Sequence, residues 1–414
     1  MQKVTTVIIG AGQSGLAMSR DLTSGGVDHL VLDRGAVANA WRKDRWDSLR
    51  LLTPNWANGL PGAPYPGSCP DGYMPVAEFV RWMNAYANMI DAPVQRDTEV
   101  HRVTGTATGF NLETSSGPIS CQTLVLASGA CARPHVPPSC AAVPSGILQL
   151  TPATYKRPHD LPPGGVLVVG ASASGTQIAR EIQATGRPVT LAAGWHTRLP
   201  RTYRGRDVEW WLDTLGILDE RFDVVDDLQR ARRTPSPQLV GGPDPVDLNA
   251  LQDCGIEIVG RLADIRDGFA LFSGGLANAC ASADLKMNRL LSTIDEWVAE
   301  RGLDNELPPP DRPGPTRLPG TPILNRSLGD GAIRTIVWAT GYRPDFSWLE
   351  LPVFDARGRL RHHGGVVAAP GLYAMGLNFM RRRRSHQISG VGEDARDLSA
   401  HLRAFLDGRI ETAA

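Results

Sequence analysis

The apolar positions of this chain fall into short β-branched runs separated by stretches with helical spacing, and one such run opens it. Val4, Val7, Ile8 and Ile9 predict a buried strand, followed by a helix that Gly25 and Gly26 end. A second strand is predicted at 29–32, closed by Asp33. Apolar residues at helical spacing predict a helix at 78–89. Runs at 99–103, 110–114 and 119–127 read as a three-stranded meander. The opening theme then repeats: a Pro-Pro-Gly-Gly linker at 162–165, a strand at 166–169, a helix at 176–185 and a strand at 189–193. Helical patterning resumes at 207–228, and a Pro- and Gly-rich exposed loop is expected at 234–245. A strand at 256–259 with a hairpin arm at 269–272, an amphipathic helix at 283–301 and a linker at 307–322 come next. Regular structure re-enters around 332–345 and closes with a strand at 371–377 and a helix at 394–406.

Strands alternating with helices predict an α/β fold with two Rossmann-like domains. The expected division is 1–157, 158–321 and 322–414, the middle unit being inserted into the domain formed by the outer two. A length of 414 residues agrees with two domains. The formal net charge is zero, which argues against nucleic acid or an anionic membrane as partner. The basic run Arg381, Arg382, Arg383, Arg384, with Glu393 and Asp394 nearby, reads as a locally solvated loop. Six cysteines show neither C-x-x-C nor metal spacing, so free thiols in a reducing compartment and no metal site are expected. No stretch is apolar enough to span a bilayer, and a first strand starting at residue 4 leaves nothing to cleave as a signal. The expected location is the cytoplasm, and the expected state a monomer or homodimer.

The candidate chemistry lies in the turns. Gly10, Gly12 and Gly15 have G-x-G-x-x-G spacing between strand and helix, the dinucleotide fingerprint. Gly10 makes the sharp turn, Gly12 lets a pyrophosphate approach, and Gly15 lets the helix pack close. The phosphates then rest on N–H groups at the helix N-terminus. Asp33 stands where an acid accepts hydrogen bonds from the adenosine ribose. Trp41, Trp46 and Trp56 either cover a core edge or line a pocket. The second loop, Gly170 to Gly175, reads G-A-S-A-S-G, with Ser172 in the middle glycine's place and Ser174 beyond it. Its second strand ends without an acid and runs into Trp195, Arg198, Arg201, Arg204 and Arg206. Arginines in place of an acid suit a 2′-phosphate, hence NADP.

Two such loops would let a hydride pass from a nicotinamide to a second cofactor. With A-S-G-A-C-A-R-P-H-V-P at 127–137 and W-A-T-G-Y-R at 338–343, the chain resembles the flavin-containing monooxygenases, in particular the compact bacterial ones. The resemblance implies FAD on the first loop and NADPH on the second, with oxygen added at the flavin C4a. The peroxyflavin would pass one oxygen atom to a small N-, S- or carbonyl-containing substrate. It implies cofactor contacts from Gln13, Ser14, Arg34, Trp41, Thr53, Thr340, Gly341 and Gln387, and an active-site asparagine at Asn55 in T-P-N-W. The family's F-x-G-x-x-x-H linker is absent, with Thr151 near the histidine's place, so Baeyer–Villiger specificity is open, and Trp195 stands where the family commonly has an arginine on the 2′-phosphate, which leaves NADH possible. Three alternatives also remain: a disulfide reductase, which needs a redox-active cysteine pair; an NAD(P)H-dependent reductase or oxidase; and a nucleotide-binding redox sensor that does not turn over.

Overall fold

The computed structural model describes residues 1–409, which build two parallel-sheet units. In the first, β1 (Gln2–Ile9) lies between β2 (His29–Leu32) and β6 (Gly117–Leu126), parallel to both, and β3 (Val94–Gln95) extends the edge beyond β2. The apolar run predicted this central place, since a strand covered on both faces needs no polar alternation. β4 (Val100–Thr106), β5 (Gly109–Thr114) and β6 form the expected antiparallel meander. The last turn of β6 is paired in parallel by Leu372–Ala374, which returns from the far end of the chain. Helix α1 (Gln13–Ser24) packs on this sheet beneath the C-terminal helix Val391–Leu406. A short helix α2 (Asn39–Lys43), not expected from the sequence, carries Trp41, and α3 (Val76–Met89) covers the same core.

The second unit is a five-stranded parallel sheet in the order Glu257–Gly260, β10 (Val189–Ala193), β9 (Gly165–Val169), Ile333–Trp338 and β8 (Leu148–Leu150). Helix α4 (Ala173–Gln183) follows β9. The sheet takes in strands on both sides of the expected boundaries at 158 and 321. Ile333–Trp338 pairs with β9 on one side and with Leu148–Leu150 on the other, so the unit runs from about 148 to 338. Pro-rich composition marked the linkers but could not say which sheet a later strand would join.

Between the units runs a two-stranded bridge. β7 (Arg133–Pro134) pairs antiparallel with Tyr342–Arg343, and His135 N–H donates to the Gly341 carbonyl at 2.8 Å. Thr340 Oγ1 also donates to the His135 carbonyl.

Three further expectations change. Phe269–Phe272 pairs with Leu262–Arg266, while Glu257–Gly260 joins the parallel sheet instead of forming the hairpin. The region 207–228 holds the short α-helix Val208–Thr214 and the 3₁₀ turn Ile217–Asp219, because Gly216 at φ +69° breaks the run. The loop at 234–245 is not an open surface loop. Gln238 and Leu239 are buried, Gln238 Nε2 donates to the Ala171 carbonyl, and Gln177 Nε2 donates to that of Leu239.

Candidate cofactor and active site

The two glycine loops are geometric copies of one another. Gly10 has φ +114° and Gly170 φ +112°, a region that an L side chain avoids. A Cβ on Gly10 would collide with the carbonyl oxygen of Ala127, and one on Gly170 with that of Ala339. On Gly15 and Gly175 a Cβ would strike the carbonyl oxygens of Gly10 and Gly170. The A-S-G and A-T-G strand ends thus have a physical reason, since each lays its alanine carbonyl against the first glycine of one loop. The A-T-G end at 339–341 therefore packs against the second loop, which puts Thr340 and Gly341 on that side.

Gly12 differs from its neighbours. Its φ of −86° is ordinary, and nothing lies within 4 Å of a Cβ built there. Its lack of a side chain has no reason inside the protein, whereas a pyrophosphate held at the N-terminus of α1 supplies one. Ser172 adopts the same backbone conformation, φ −89° and ψ −178°, so serine costs the second loop no strain. Ser174 is half-buried in the first turn of α4.

The other predicted contacts of the first loop divide into bracing and open groups. Asp33 accepts the Ala11 N–H at 2.9 Å and the Gly35 N–H at 3.0 Å, and burial raises its pKa above the ordinary carboxylate value. It holds the loop's shape while keeping lone pairs for a ribose. Trp41 donates from Nε1 to Gln13 Oε1 at 3.2 Å and packs edge-on against Phe79, so it covers the core and reaches the loop at once. Arg34 is exposed and 3.8 Å from Asp44. Ser14 is buried with its hydroxyl against Gly376. Thr53 donates to the side-chain oxygen of Asn58 and so shapes the turn that presents Asn55.

Asn55 is buried in the short 3₁₀ turn Asn55–Ala57. Its Nδ2 donates to the Cys69 carbonyl at 2.9 Å, while Oδ1 has no partner. Among the other buried acceptors in that condition are Gln387 Oε1, Ser128 Oγ in the A-S-G end, and Asn39 Oδ1 in α2. Such groups are costly unless something completes them, and a flavin offers N–H and O–H donors to do so. The residues present fit FAD. Ser128 and Asn39 escaped the sequence reading, although Ser128 stands inside a motif it quoted.

The arginines expected to hold the 2′-phosphate do not lie open to it. Arg198 is 3 % exposed, Arg201 6 % and Arg204 6 %. Arg198 binds Asp247 at 2.6 Å and Asp284 at 2.7 Å, and also the Gly314 carbonyl. Arg201 binds Asp207 at 3.2 Å, and Arg204 binds Asp295 at 2.8 Å and Asp304 at 3.0 Å. They are interior cations with their own counter-ions. Trp195, by contrast, is 66 % exposed at the end of β10. Beside it Arg261, exposed and without an ion pair among the described residues, lays its side chain 3.2 to 3.4 Å from where a Gly194 Cβ would stand. Arg261 follows the neighbouring strand, so its approach to Gly194 depends on sheet order.

The basic run also changes role. Arg381 and Arg382 bind Asp397, Arg382 binds Asp394 at 2.7 Å, Arg383 binds Glu220, and Arg384 binds Asp219 at 2.8 Å. It is an ion-paired seam between the C-terminal helix and the segment 213–220, not a solvated loop. Cys131 and His386 have exposed side chains. All six cysteines are free, and the two buried ones, Cys121 and Cys280, lie in different cores.

A profile of the pyridine nucleotide-disulphide oxidoreductase family matches residues 7–214, half of the chain. The chain belongs to that family. This oxidoreductase is 28% identical over 395 residues to an uncharacterized CzcO-like oxidoreductase of Geobacillus kaustophilus, covering 95% of this chain and 96% of that one. It is 31% identical over 216 residues to indole-3-pyruvate monooxygenase YUCCA1 of Oryza sativa subsp. japonica, covering 51% of this chain and 52% of the relative. Among solved structures, the flavin-containing monooxygenase from Stenotrophomonas maltophilia superposes with a TM-score of 0.68 at 20% identity, over 98% of this chain and all of that one. The fold of the oxidoreductase is that of the two-dinucleotide flavoproteins, and its resemblance to flavin-containing monooxygenases, read from four motifs, is borne out. No helix among the described residues is long and apolar enough to cross a membrane.

Proposed function

We propose that this oxidoreductase is a single-component monooxygenase that holds FAD on the loop at Gly10–Gly15 and NADPH on the loop at Gly170–Gly175. The observation that carries the reading is the pairing of two identically built loops through the bridge between Arg133–Pro134 and Tyr342–Arg343. Flavin bound at the first loop would accept a hydride from the nicotinamide and use O2 to oxygenate a small N-, S- or carbonyl-containing substrate. The chain's own part is positioning and exclusion of water. Gly12 and the α1 N-terminus seat the pyrophosphate, and Asp33 faces the ribose. Asn55 and Gln387 each offer an unpartnered amide oxygen to the flavin. On the second side Arg261 would meet the 2′-phosphate, the role first assigned to Arg198, Arg201 and Arg204, and Trp195 the adenine face. The free cysteines favour this reading over a disulfide reductase.

Purified protein is expected to be yellow and to bleach anaerobically with NADPH. Reoxidation by O2 through a delayed, spectrally distinct species, with oxygenated product from an amine, sulfide or ketone panel, supports the monooxygenase. Immediate reoxidation with stoichiometric hydrogen peroxide, whatever substrate is offered, overturns it in favour of an oxidase.

A further inference from the structure

Two donors compete for one lone pair where the short helix Leu228–Ala231 meets the strand His362–His363. His362 is half-buried, and its Nδ1 faces the Gly365 N–H at 3.2 Å. Arg232 directs Nη2 at the other ring nitrogen, Nε2, at 3.4 Å. A neutral imidazole has one bare nitrogen and one N–H. Whichever tautomer it adopts, a donor faces a donor. The main-chain N–H cannot turn away, so the ring proton belongs on Nε2, against the guanidinium.

Arg232 lacks a counter-charge as well. It is half-buried and has no ion pair among the described residues, its other side-chain bond running from Nε to the Phe379 carbonyl at 3.2 Å. Burial and the like charge of Arg359 lower its pKa, with no carboxylate to offset them. The carboxylates of neighbouring segments are spent elsewhere. Asp355 is held by Arg359 at 2.7 Å and Asp223 by Arg221 at 2.8 Å, while Asp227 accepts the Arg230 N–H at 2.9 Å. Burial, Arg232 and His363 push His362 down to about 4, so the ring is neutral and cannot resolve the conflict by charging. An oxygen acceptor beside Nε2 would take both protons and neutralise the guanidinium.

We propose that Arg232 and His362 form a binding site for a small oxyanion, a carboxylate or phosphate group that accepts from Arg232 Nη2 and His362 Nε2 together. The site lies apart from both glycine loops and is independent of the monooxygenase reading, yet it is linked to the first loop. Phe379, whose carbonyl Arg232 holds, has φ +42°, a region that a side chain of its size avoids. Gly376, three residues before it, lies against Ser14 Oγ. An anion that fixes Arg232 also steadies this segment.

The test is thermal melting of the protein as purified, near pH 7.5 and at constant ionic strength, with inorganic phosphate or acetate replacing part of the chloride. Expected is a Tm higher by about 2 °C or more at roughly 20 mM of the oxyanion. A rise with phosphate alone assigns the site to phosphate groups, and one with acetate alone to carboxylates. Arg232→Gln should lose the rise. His362→Glu should melt above wild type in chloride, because the chain then supplies the acceptor itself, and should gain nothing from either anion. No rise in wild type overturns the proposal. So does a rise kept in full by either variant, which places the anion on the glycine loops or at Arg261. If Arg232→Gln does not fold, His362→Glu decides. Flavin content is read on the same samples. A colourless protein that shows the rise counts against the monooxygenase reading alone, and a yellow one without it against this proposal alone.

Discussion

The guanidinium of Arg201 donates to the main-chain oxygen of Leu52 at 3.0 Å, tying the inserted unit to the loop that presents Asn55. The same group reaches the Val240 carbonyl at 2.9 Å and lies over the Tyr73 ring. Removing it leaves Asp207 half-buried with its cation gone. Arg201→Ala is therefore expected to lose roughly 3 kcal/mol of stability in a urea melt. Whatever activity survives should fall alike with NADPH and NADH. A selective loss with NADPH would return Arg201 to the phosphate.

Arg261 carries the opposite expectation. It is exposed, without an ion pair among the described residues, and beside Gly194, so truncation costs the fold little. Arg261→Ala should raise the KM for NADPH by about tenfold or more, leave that for NADH unchanged, and leave the melting temperature within about 1 °C. Equal effects on the two coenzymes would remove it from the site.

The glycines of the first loop separate fold from ligand. Gly15→Ala must push a Cβ into the Gly10 carbonyl, and is expected to lower stability by roughly 2 kcal/mol or more with or without flavin. Gly12→Val meets open space in the protein and should fold, yet retain no FAD, because the side chain occupies the pyrophosphate's place. A folded, fully yellow Gly12→Val variant would show that FAD does not bind there. Melting temperature and the flavin-to-protein absorbance ratio report the two effects separately.

Two buried groups give stability opposite slopes against pH. Burial and Arg232 push His362 down to about 4. The unfolded chain takes up this proton near 6.5 and the folded one near 4, so stability falls as pH drops across that window. Glu209, raised to about 7, keeps its proton in the folded state after the unfolded chain has lost it near 4.5. Its contribution therefore falls as pH rises from about 4.5 to 7. Glu209→Gln should remove that decline, gaining of the order of 1–3 kcal/mol near neutrality relative to wild type. Urea midpoints at pH 5, 6 and 7 measure it, and parallel profiles for the two proteins would refute it.

What was legible in the sequence was local. Strand β1, the glycine turn and α1 are contiguous, so β-branched periodicity and glycine spacing specify them without reference to distant residues. The same holds for the second loop and for the meander at 100–126. The A-S-G and A-T-G ends were visible as motifs, but their purpose was not, since Ala127 meets Gly10 only across a sheet.

Charge was where the sequence misled. Arg198, Arg201 and Arg204 lie next to the right strand, but their partners at 207, 247, 284, 295 and 304 arrive from later in the chain. Arg261 and Glu209 escaped notice for the converse reason. One sits at the end of a neighbouring strand, and the other lies within what reads as an apolar helix. By itself the sequence determined two dinucleotide turns and their elements, because backbone conformation at a glycine turn is a local property. Only the tertiary structure decided which sheet Ile333–Trp338 joins, and which cations are spent on carboxylates and which are not. Electrostatic pairing is set by distance in space, and for these residues that distance bears no relation to separation along the chain.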